Sequence, residues 1–417
     1  MEKTMTECDV FIIGGGPAGS IAAAKLVQAG YSVELVEKVK FPRFVIGESL
    51  LPRCNELLEN ANMLEAVKNA GFQFKGGVAF QNEQGDLKVV NFENNMGQKF
   101  NSSFQVRREV FDNLLLEEAK RFGTHVTMEA EVTHYDENTN IITVIDKDSN
   151  ETKYHARKVI DASGYGRVLP RMLGLDSNSK LALRDAIFRR VENDVRHTDG
   201  TDGYIYVDIV GNNDAWIWNI PLSPTVTSVG IVCTDEYYKS FNMTQDEFWN
   251  HIVYNDPTAK VRYANATPIN EVGFIGGYSS NVTRMFGDNF VLVGNATEFL
   301  DPVFSSGVTL ALESGSKAAD LTIKEFEGEN VDWQKDYQDY MMIGVDVFRE
   351  YVEAWYDGRL QGILFSKAPG SMKIESKVVS VLSGYVWDTK NMFVTSPTQA
   401  VNATYKALTG LDPATQQ

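Results

Sequence analysis

The sequence predicts an α/β fold in which a β-rich insertion interrupts a mainly parallel sheet and helices follow. Residues 8–13 form a short apolar run, typical of a buried parallel strand. The glycine-rich segment 14–19 comes next, then an alanine-rich helix that ends near Gly30 and a second strand over 32–37. A β-α-β unit of about thirty residues around such a turn predicts a Rossmann-like domain that binds a dinucleotide.

Each glycine of this turn has a physical role in dinucleotide binding. Gly14 permits the tight turn, Gly16 lets the backbone approach the pyrophosphate, and Gly19 lets the helix pack closely on the strand. The helix N-terminus offers N–H donors and a positive dipole end to the phosphates. Glu37 ends the second strand, where a carboxylate accepts hydrogen bonds from the ribose hydroxyls. The alternative is an ordinary glycine-rich turn.

The rest of the chain alternates between extended and helical patterns, without an internal repeat or a low-complexity segment. Extended segments are predicted over 72–106, within 125–160, over 185–280 and over 289–294, and helices over 109–122 and 308–326. The stretch 330–417 is mostly helical in pattern, with breaks at Pro369-Gly370 and Pro397. The strand ending at Asp161 and the one over 289–294 are expected to return to the first sheet.

Composition excludes several classes of function. The chain has 417 residues, of which 43% are hydrophobic and 23% charged, as in an ordinary globular protein. A formal net charge of −17 makes it a poor candidate for binding nucleic acid or anionic membranes. No apolar run is long enough for a transmembrane segment, and the charged N-terminus lacks the apolar part of a signal peptide. Three scattered cysteines suit a reducing compartment, and neither they nor the five histidines have metal-ligand spacing. We therefore expect a cytoplasmic protein without a metal site.

Three further segments carry a more specific signal. Residues 216–221 have the pattern W-x-W-x-I-P, residues 74–80 read Phe-Lys-Gly-Gly-Val-Ala-Phe, and residues 299–307 have the pattern F-x-x-P-x-x-S-x-G. Together they resemble the signatures of flavin-dependent halogenases. Taken singly, each has a structural interpretation: a strand with aromatic side chains on one face, an exposed lysine beside a glycine turn, and a loop that leads into a helix.

Other residues indicate FAD rather than NAD. Arg43 with Gly47-Glu48-Ser49, the segment around Arg108, and Asp161-Ala-Ser-Gly164 resemble motifs of the FAD-dependent aromatic hydroxylases. Asn295 stands where that family usually carries an aspartate, and its amide oxygen can also accept a hydrogen bond. The resemblance implies cofactor contacts from Arg43, Arg108, Asp161, Asn295 and Asp301. For the two arginines the alternative is a surface salt bridge.

The order of these parts also resembles the aromatic hydroxylase (GR2) architecture. It implies a discontinuous FAD-binding domain over residues 1–75, 105–180 and 285–330. A β-rich substrate domain is expected over 76–104 and 181–284, and a C-terminal helical region over 331–417.

The resemblance to halogenases implies a chemistry. Reduced FAD, supplied by a separate flavin reductase, would react with O2 to oxidise chloride or bromide. Lys75 would hold the hypohalous acid by hydrogen bonding or as a chloramine, and Ser305 would assist it. Halide binding is assigned to Ser305, Ser306 and Gly307, whose backbone N–H groups suit an anion. The separation of flavin from substrate is assigned to Trp216, Trp218, Ile220 and Pro221.

One difference from the tryptophan halogenases narrows the class of substrate. Tryptophan halogenases carry a glutamate just before the serine of the last signature, whereas this chain has Phe304. The resemblance is therefore closer to halogenases of phenols or pyrroles, whose substrates are often delivered on an acyl carrier protein. Two alternatives stay open: a flavin monooxygenase or geranylgeranyl-reductase-like oxidoreductase, and a non-catalytic redox-sensing flavoprotein.

The C-terminal region has two interpretations. It carries an aromatic group and a basic group: Tyr351, Trp355, Tyr356 and Phe365, and then Lys367, Lys373 and Lys377. It is either a helical lid with solvated lysines or a docking surface for an acidic acyl carrier protein.

Overall fold

The computed structural model describes residues 5–179, 181–211, 213–257, 259–277, 280–367 and 372–416. Strands in this part of the chain are β1 (Thr6–Ile13), β2 (Val33–Glu37), β3 (Gln73–Lys75), β4 (Gly77–Gln81), β5 (Leu87–Asn91), β6 (Ser103–Gln105), β7 (His125–Met128), β8 (Ala130–Asp136), β9 (Ile141–Asp146), β10 (Glu151–Asp161), β11 (Asp176–Ser177), β12 (Asp185–Glu192), β13 (Ile205–Val210), β14 (Ala215–Pro221), β15 (Val226–Cys233), β16 (Thr267–Pro268), β17 (Gly273–Gly276), β18 (Asn281–Val282) and β19 (Phe290–Leu292).

The α-helices in the same ranges are α1 (Pro17–Gln28), α2 (Pro52–Asn60), α3 (Leu64–Asn69), α4 (Arg108–Phe122), α5 (Val168–Met172), α6 (Asp235–Ser240), α7 (Gln245–Asn255), α8 (Ala259–Tyr263), α9 (Ser306–Phe326), α10 (Tyr340–Tyr356), α11 (Arg359–Leu364), α12 (Met372–Leu382), α13 (Met392–Thr395) and α14 (Pro397–Thr409). No helix within these ranges combines the length and apolar character needed to cross a membrane.

The first sheet has the order β7-β2-β1-β10-β9-β8, with β19 beside the C-terminal half of β10. Strands β7, β2, β1, β10 and β19 are parallel, whereas β8 and β9 pair antiparallel. The segment 125–160 thus holds four strands rather than the expected pair, because β7 joins the parallel edge. Helix α1 lies between this sheet and α9, so the carboxyl end of β1 and the start of α1 face one crevice.

The second sheet has the order β16-β12-β15-β14-β13-β4-β5, with β17 beside β12. Strands β4 and β5 come from the 76–104 segment, and β4 pairs parallel with β13. One face of this sheet packs on the main core, and the other is covered by α6, α7 and α8. These three helices lie within the segment 185–280, which was expected to be β-rich.

Helices α10 to α14 form the C-terminal part and pack against α9 and against one another. The expected break at Pro397 is confirmed, because α13 ends at Thr395 and Pro397 is the first residue of α14, where proline's missing N–H is not needed. The expected break at Pro369-Gly370 lies outside the described residues.

Candidate active site

A large cavity of about 500 Å³ lies between the two sheets. It runs from the glycine turn after β1 to the inner face of β14, and its lining includes Gly14, Gly16, Glu37, Arg43, Ser49, Arg108, Trp216, Trp218, Asn295 and Ser305. Its volume is in the range of cofactor sites, which are concave and few in a protein. Most of the residues expected to contact a cofactor therefore share one cavity.

The glycine turn fits a dinucleotide at the position where sequence analysis expects the pyrophosphate. A Cβ atom on Gly14 would lie 2.6 Å from the Ala162 carbonyl oxygen, and one on Gly19 would lie 2.0 Å from the Gly14 oxygen. By contrast, the nearest heavy atom to a Cβ on Gly16 is Nη2 of Arg43, at 3.7 Å. Gly16 therefore faces open space in the cavity, whereas the other two glycines are required by the fold.

Charged side chains hold the backbone in place at the glycine-turn end of the large cavity. One Glu37 carboxylate oxygen accepts a hydrogen bond from the Gly15 N–H at 2.8 Å and the other accepts from Val39 at 2.9 Å. Arg108 donates to the Asp112 carboxylate at 2.7 and 2.9 Å and to the carbonyl oxygens of Ile46 and Gly47. The arginine is buried, so a surface salt bridge does not describe it. It shapes the loop before Glu48.

Two expected cofactor ligands do not line the cavity. Both oxygens of the buried Asp161 carboxylate accept from backbone N–H groups, those of Ser163 and Leu169. Asp301 accepts from the Val303 N–H at 3.0 Å and from the Tyr356 hydroxyl at 2.9 Å. In this structure both aspartates hold turns beside the cavity, because local donors already occupy their oxygens.

The tryptophan string forms one wall of the large cavity. Trp216, Trp218 and Ile220 alternate along β14 and face the cavity, with the two indole rings 6.1 Å apart. Trp216 Nε1 donates to the Tyr356 hydroxyl at 2.8 Å, and Trp218 Nε1 donates to Ser228 Oγ at 3.2 Å. Pro221 ends the strand opposite Thr227 and does not line the cavity.

The turn before α9 offers an anion site. Ser305 adopts a left-handed backbone conformation with φ of 56°, and its N–H donates to the Pro302 carbonyl at 2.9 Å. Helix α9 begins at Ser306, so the first N–H groups of a 21-residue helix, including those of Ser306 and Gly307, have no acceptor within the helix. Of the three expected halide ligands, Ser305 can contribute only its hydroxyl.

Lys75 lies on the far side of this turn. Its side chain is 1% exposed, because β3 alternates and turns the neighbouring Phe74 outwards. Nζ donates to Ser49 Oγ at 2.8 Å and to the Leu50 carbonyl at 2.9 Å, and it lies 5.3 Å from the centroid of the Phe92 ring. Burial lowers the pKa of Lys75 to about 7. An exposed lysine beside a glycine turn is therefore the wrong description.

A second cavity surrounds this amine. The lysine cavity measures about 10 Å³, roughly the space of one water molecule. It is lined by Leu51, Lys75, Val78, Phe80, Phe92, Ile205, Val303, Phe304, Ser305 and Leu382. Ser305 and Ile205 line both cavities, so the turn over residues 302–306 is the partition between them. We call it the halide turn after the role that sequence analysis expects for it.

Comparison with known proteins agrees with this geometry. The family model of the FAD binding domain matches residues 7–336. A 1H-pyrrole-2-carbonyl-[peptidyl-carrier protein] chlorinase of Pseudomonas fluorescens is 30% identical over 414 residues, which cover 93% of this chain and 91% of the relative. The solved structure of the flavin-dependent brominase Bmp2 superposes with a TM-score of 0.84 at 25% identity, covering 96% of this chain and 99% of that one. The chain belongs to the flavin-dependent halogenases.

A further similar structure has a less specific description. A flavoprotein/dehydrogenase from Cytophaga hutchinsonii is 41% identical to this halogenase, with a TM-score of 0.92 and coverage of 96% and 98% of the two chains. The two chains therefore share a fold over nearly their whole length.

Aromatic side chains close the lysine cavity of this halogenase. The Phe80 ring lies 5.2 Å from Trp355 and 6.4 Å from Phe304, and Phe304 lies 5.9 Å from Trp355. Tyr351 packs on Phe304 at 6.0 Å. Two of the C-terminal aromatic residues are therefore core residues at the site.

Sequence analysis missed three partners in the site. Ser49 contacts the Lys75 amine, Phe92 lies beneath it, and Tyr356 joins Trp216 to Asp301. Ser49 belonged to a segment expected near the flavin, which was the available signal. Tyr356 belonged to the aromatic group of the C-terminal region, whose contacts could not be predicted, and Phe92 lies in a segment without a recognisable motif.

Proposed function

We propose that this halogenase uses reduced FAD, O2 and chloride or bromide to halogenate an electron-rich aromatic ring beside Lys75. The observation that supports it is the position of Lys75. An amine without a neighbouring carboxylate lies behind the halide turn, in an apolar cavity that shares a wall with the cofactor cavity. This arrangement suits a reactive positive halogen, because water and competing nucleophiles are kept away.

The large cavity is proposed to hold FAD with its pyrophosphate at Gly16 and its ribose at Glu37. Arg43 and Asn295 line the same cavity, and Trp216 and Trp218 form the wall at the opposite end. Reduced FAD and O2 together supply the oxidant that converts halide to hypohalous acid. The tryptophan wall keeps an aromatic substrate on the other side of this oxidant.

The halide turn is proposed to bind chloride or bromide through the N–H groups of Ser306 and Gly307. The positive end of the α9 dipole favours an anion there. The Ser305 hydroxyl borders both cavities, so it is placed to guide hypohalous acid from the large cavity to Lys75.

Lys75 is proposed to hold the halogen. With a pKa of about 7, both protonation states are accessible near neutral pH. The ammonium can donate a hydrogen bond to hypohalous acid, and the neutral amine can form an N–halogen bond with loss of water. Either route delivers the halogen at one fixed point.

The substrate is proposed to be a phenol or a pyrrole. Among the residues that line the lysine cavity there is no carboxylate, and Phe304 cannot act as a base. A ring that is activated by its own hydroxyl or ring nitrogen needs no such base. Two relatives are named for pyrrole groups on a peptidyl carrier protein, the chlorinase and a brominase of Pseudoalteromonas luteoviolacea. We propose carrier-bound delivery for this chain as well.

The partner is proposed to be a separate flavin reductase. The sequence carries one glycine turn of the dinucleotide type, which FAD would occupy, so the electrons would come from outside. The three cysteines are free, which fits a reducing compartment such as the cytoplasm.

The test replaces Lys75 with methionine, which keeps the length of the side chain and removes the amine. Lys75→Met should bind FAD normally and still consume O2 and release peroxide, but should form no halogenated product. The measurement is the chlorine isotope pair in the product mass, with peroxide quantified alongside.

The matched control is Lys158→Met. Lys158 is also buried, but it pairs with Glu325 outside both cavities. The control should halogenate at the wild-type rate. Halogenation by Lys75→Met at that rate would contradict the mechanism. A product with added oxygen or added hydrogens would favour the monooxygenase or reductase alternative.

A further inference from the structure

The Lys75 amine has two hydrogen-bond acceptors with different chemical abilities. Ser49 Oγ lies 2.8 Å from Nζ, and the Leu50 carbonyl oxygen lies 2.9 Å from it. Ser49 also lines the large cavity, whereas Leu50 lines neither. Of these two hydrogen-bond acceptors of Nζ, Ser49 is the one that borders the proposed cofactor site.

Only one of these two acceptors can pass a proton on. A backbone carbonyl accepts a hydrogen bond but has no proton to release, whereas a hydroxyl can accept one proton and donate another. The titratable group that contributes to the pKa of Lys75 is the Cys54 thiol on α2. Burial raises the pKa of this thiol, and its sulfur already contacts Thr309 Oγ1 at 3.2 Å. The thiol is therefore a poor proton carrier.

A proton route is needed if Lys75 acts as proposed above, and this inference rests on that function. The neutral amine reacts with hypohalous acid to give an N–halogen bond and water. Attack by the ring then breaks this bond and forms the carbon–halogen bond, and the ring proton ends on the amine nitrogen. An amine that begins as ammonium must first lose one proton from a side chain that is only 1% exposed to solvent.

We propose that Ser49 is the proton relay between Lys75 and the large cavity. One proton leaves Nζ for Oγ as the hydroxyl proton leaves Oγ for a water molecule in the large cavity, so the serine is unchanged. Ser49 also fixes the position of the amine. It is a positioning residue as well as a relay, because it acts through Lys75.

The energetics support the relay. With a pKa of about 7 for Lys75, net release of its proton to solvent at neutral pH is close to thermodynamic balance, and the relay supplies the route. An acceptor that stabilises the ammonium also raises its pKa. Removing the Ser49 hydroxyl should therefore lower the pKa of Lys75 further.

The experiment compares Ser49→Ala with two controls in the FAD-loaded protein. Ser103→Ala removes another buried hydroxyl, which lies opposite Lys75 in the β3–β6 pair but donates to the Leu51 carbonyl instead. Ser49→Thr keeps the hydroxyl. Ser49→Cys serves as a second variant, since a thiol is a weaker acceptor.

Two readouts do not depend on halogenation. Lysine-selective carbon-13 NMR gives the pKa of Lys75, with the signal assigned by its loss in Lys75→Met. Nitrogen-15 NMR below pH 6 gives the exchange rate of the ammonium hydrogens with D2O. Ser49→Ala should lower the pKa by about one unit and slow the exchange by about tenfold, whereas Ser103→Ala and Ser49→Thr should match the wild type.

The third readout is the ratio of halogenated product to peroxide as a function of pH, which should fall in Ser49→Ala and recover in Ser49→Thr. An unchanged pKa and exchange rate in Ser49→Ala, or equal changes in Ser103→Ala, would overturn the relay. If the wild type forms no halogenated product while the NMR changes appear as expected, the relay stands and the proposed function alone fails.

Discussion

The two cavities of this halogenase share the halide turn but differ in size and in the polar and charged residues of their lining. The large cavity has about 500 Å³ and includes Glu37, Arg43 and Arg108 in its wall. The lysine cavity has about 10 Å³, and its lining is apolar except for Lys75 and Ser305. The first suits a charged cofactor and an anion, and the second suits a halogen that must not meet water. Under the proposed function, the oxidant would be made and used in these two separate environments.

The comparison also explains why the halide turn is built as it is. A left-handed residue at Ser305, with φ of 56°, ends one short turn and allows α9 to begin at once. Asp301 caps that short turn, and Tyr356 ties the same aspartate to the tryptophan wall. The partition is therefore held from the C-terminal helices as well as from the first sheet.

The largest expected effect comes from a side chain that fills part of the large cavity and leaves the lysine cavity unchanged. Gly16→Val should weaken FAD binding by about 100-fold or more, or about 3 kcal/mol, because the side chain takes the space proposed for the pyrophosphate. The measurement is FAD affinity by fluorescence titration.

Gly16→Ala serves as the graded control, since its Cβ meets only the end of Arg43. The pKa of Lys75 in the valine variant should stay near 7, because the lysine cavity is untouched. Normal FAD content in folded Gly16→Val would show that the cofactor lies elsewhere.

The next effect concerns the free energy of unfolding and its pH dependence. The pKa of Lys75 is lowered from 10.5 to about 7 on folding, so the folded protein binds fewer protons than the unfolded chain between these values. The free energy of unfolding therefore rises with pH through that window. Below pH 7, burial of the charged Lys75 amine lowers this free energy by the full amount of about 5 kcal/mol. This penalty is the energetic cost of the apolar lysine cavity.

Lys75→Met removes the charge but leaves the oxygens of Ser49 and Leu50 without its amine, which costs about 1–3 kcal/mol. We expect a net stabilisation of about 2 kcal/mol at pH 7, declining towards pH 10, by urea unfolding across pH. A variant that is less stable than wild type at pH 6 would show that the amine is not buried as a charge.

A smaller effect should follow from removing a hydrogen-bonding group that holds the halide turn between the two cavities. Tyr356→Phe removes one hydroxyl, so Trp216 and Asp301 each lose a partner, at a cost of about 1–2 kcal/mol. Arg184 should stay stacked on the ring, which lies 3.4 Å away. We expect a higher KM for halide and more peroxide per product, while kcat at saturating halide changes less.

The matched control is Tyr385→Phe. Its hydroxyl also has two hydrogen bonds, to the backbone of Phe100, but it lies outside both cavities. It should lose similar stability without changing the halide dependence. Identical halide kinetics in both variants would assign Tyr356 a purely structural role.

These cavities also show what the sequence could and could not predict. The FAD-binding fold follows from local signals: the β-α-β unit, its glycine turn and the alternation of β14 are each set by a few adjacent residues. The same holds for the inward position of Lys75, which β3 alternation explains once the strand is known. Motifs therefore predicted which segments form the site.

Long-range contacts were beyond such reasoning. Asp161 and Asp301 were expected to contact the cofactor. In the fold, Asp161 accepts from two backbone N–H groups, and Asp301 accepts from the Val303 N–H and the Tyr356 hydroxyl. The burial of Lys75 depends on Phe92 and Leu382, which lie far from it in sequence. The helices over 235–263 interrupt a region of extended pattern, because they cover the outer face of the second sheet. Tertiary packing decided the burial of Lys75 and the placement of these helices, whereas the aspartate contacts are local except for the Tyr356 hydroxyl.

The smallest expected effect concerns how substrate reaches the lysine cavity. Leu382, at the end of α12, lines that cavity, and the same helix begins beside the exposed Lys373. An acidic neighbour partly compensates the basic group, since Lys367 lies 3.6 Å from Asp86. Steering of an acidic carrier protein should therefore be weak.

Charge reversal at Lys367 and Lys373 should slow turnover of a carrier-bound pyrrole by about two- to threefold at low salt and leave a free phenol unaffected. The measurement is kcat/KM for both substrates at two ionic strengths, with Lys260→Glu on α8 as a remote control that matches the charge change of each single reversal. An equal slowing of both substrates would mean that α12 only closes the cavity and that the carrier docks elsewhere.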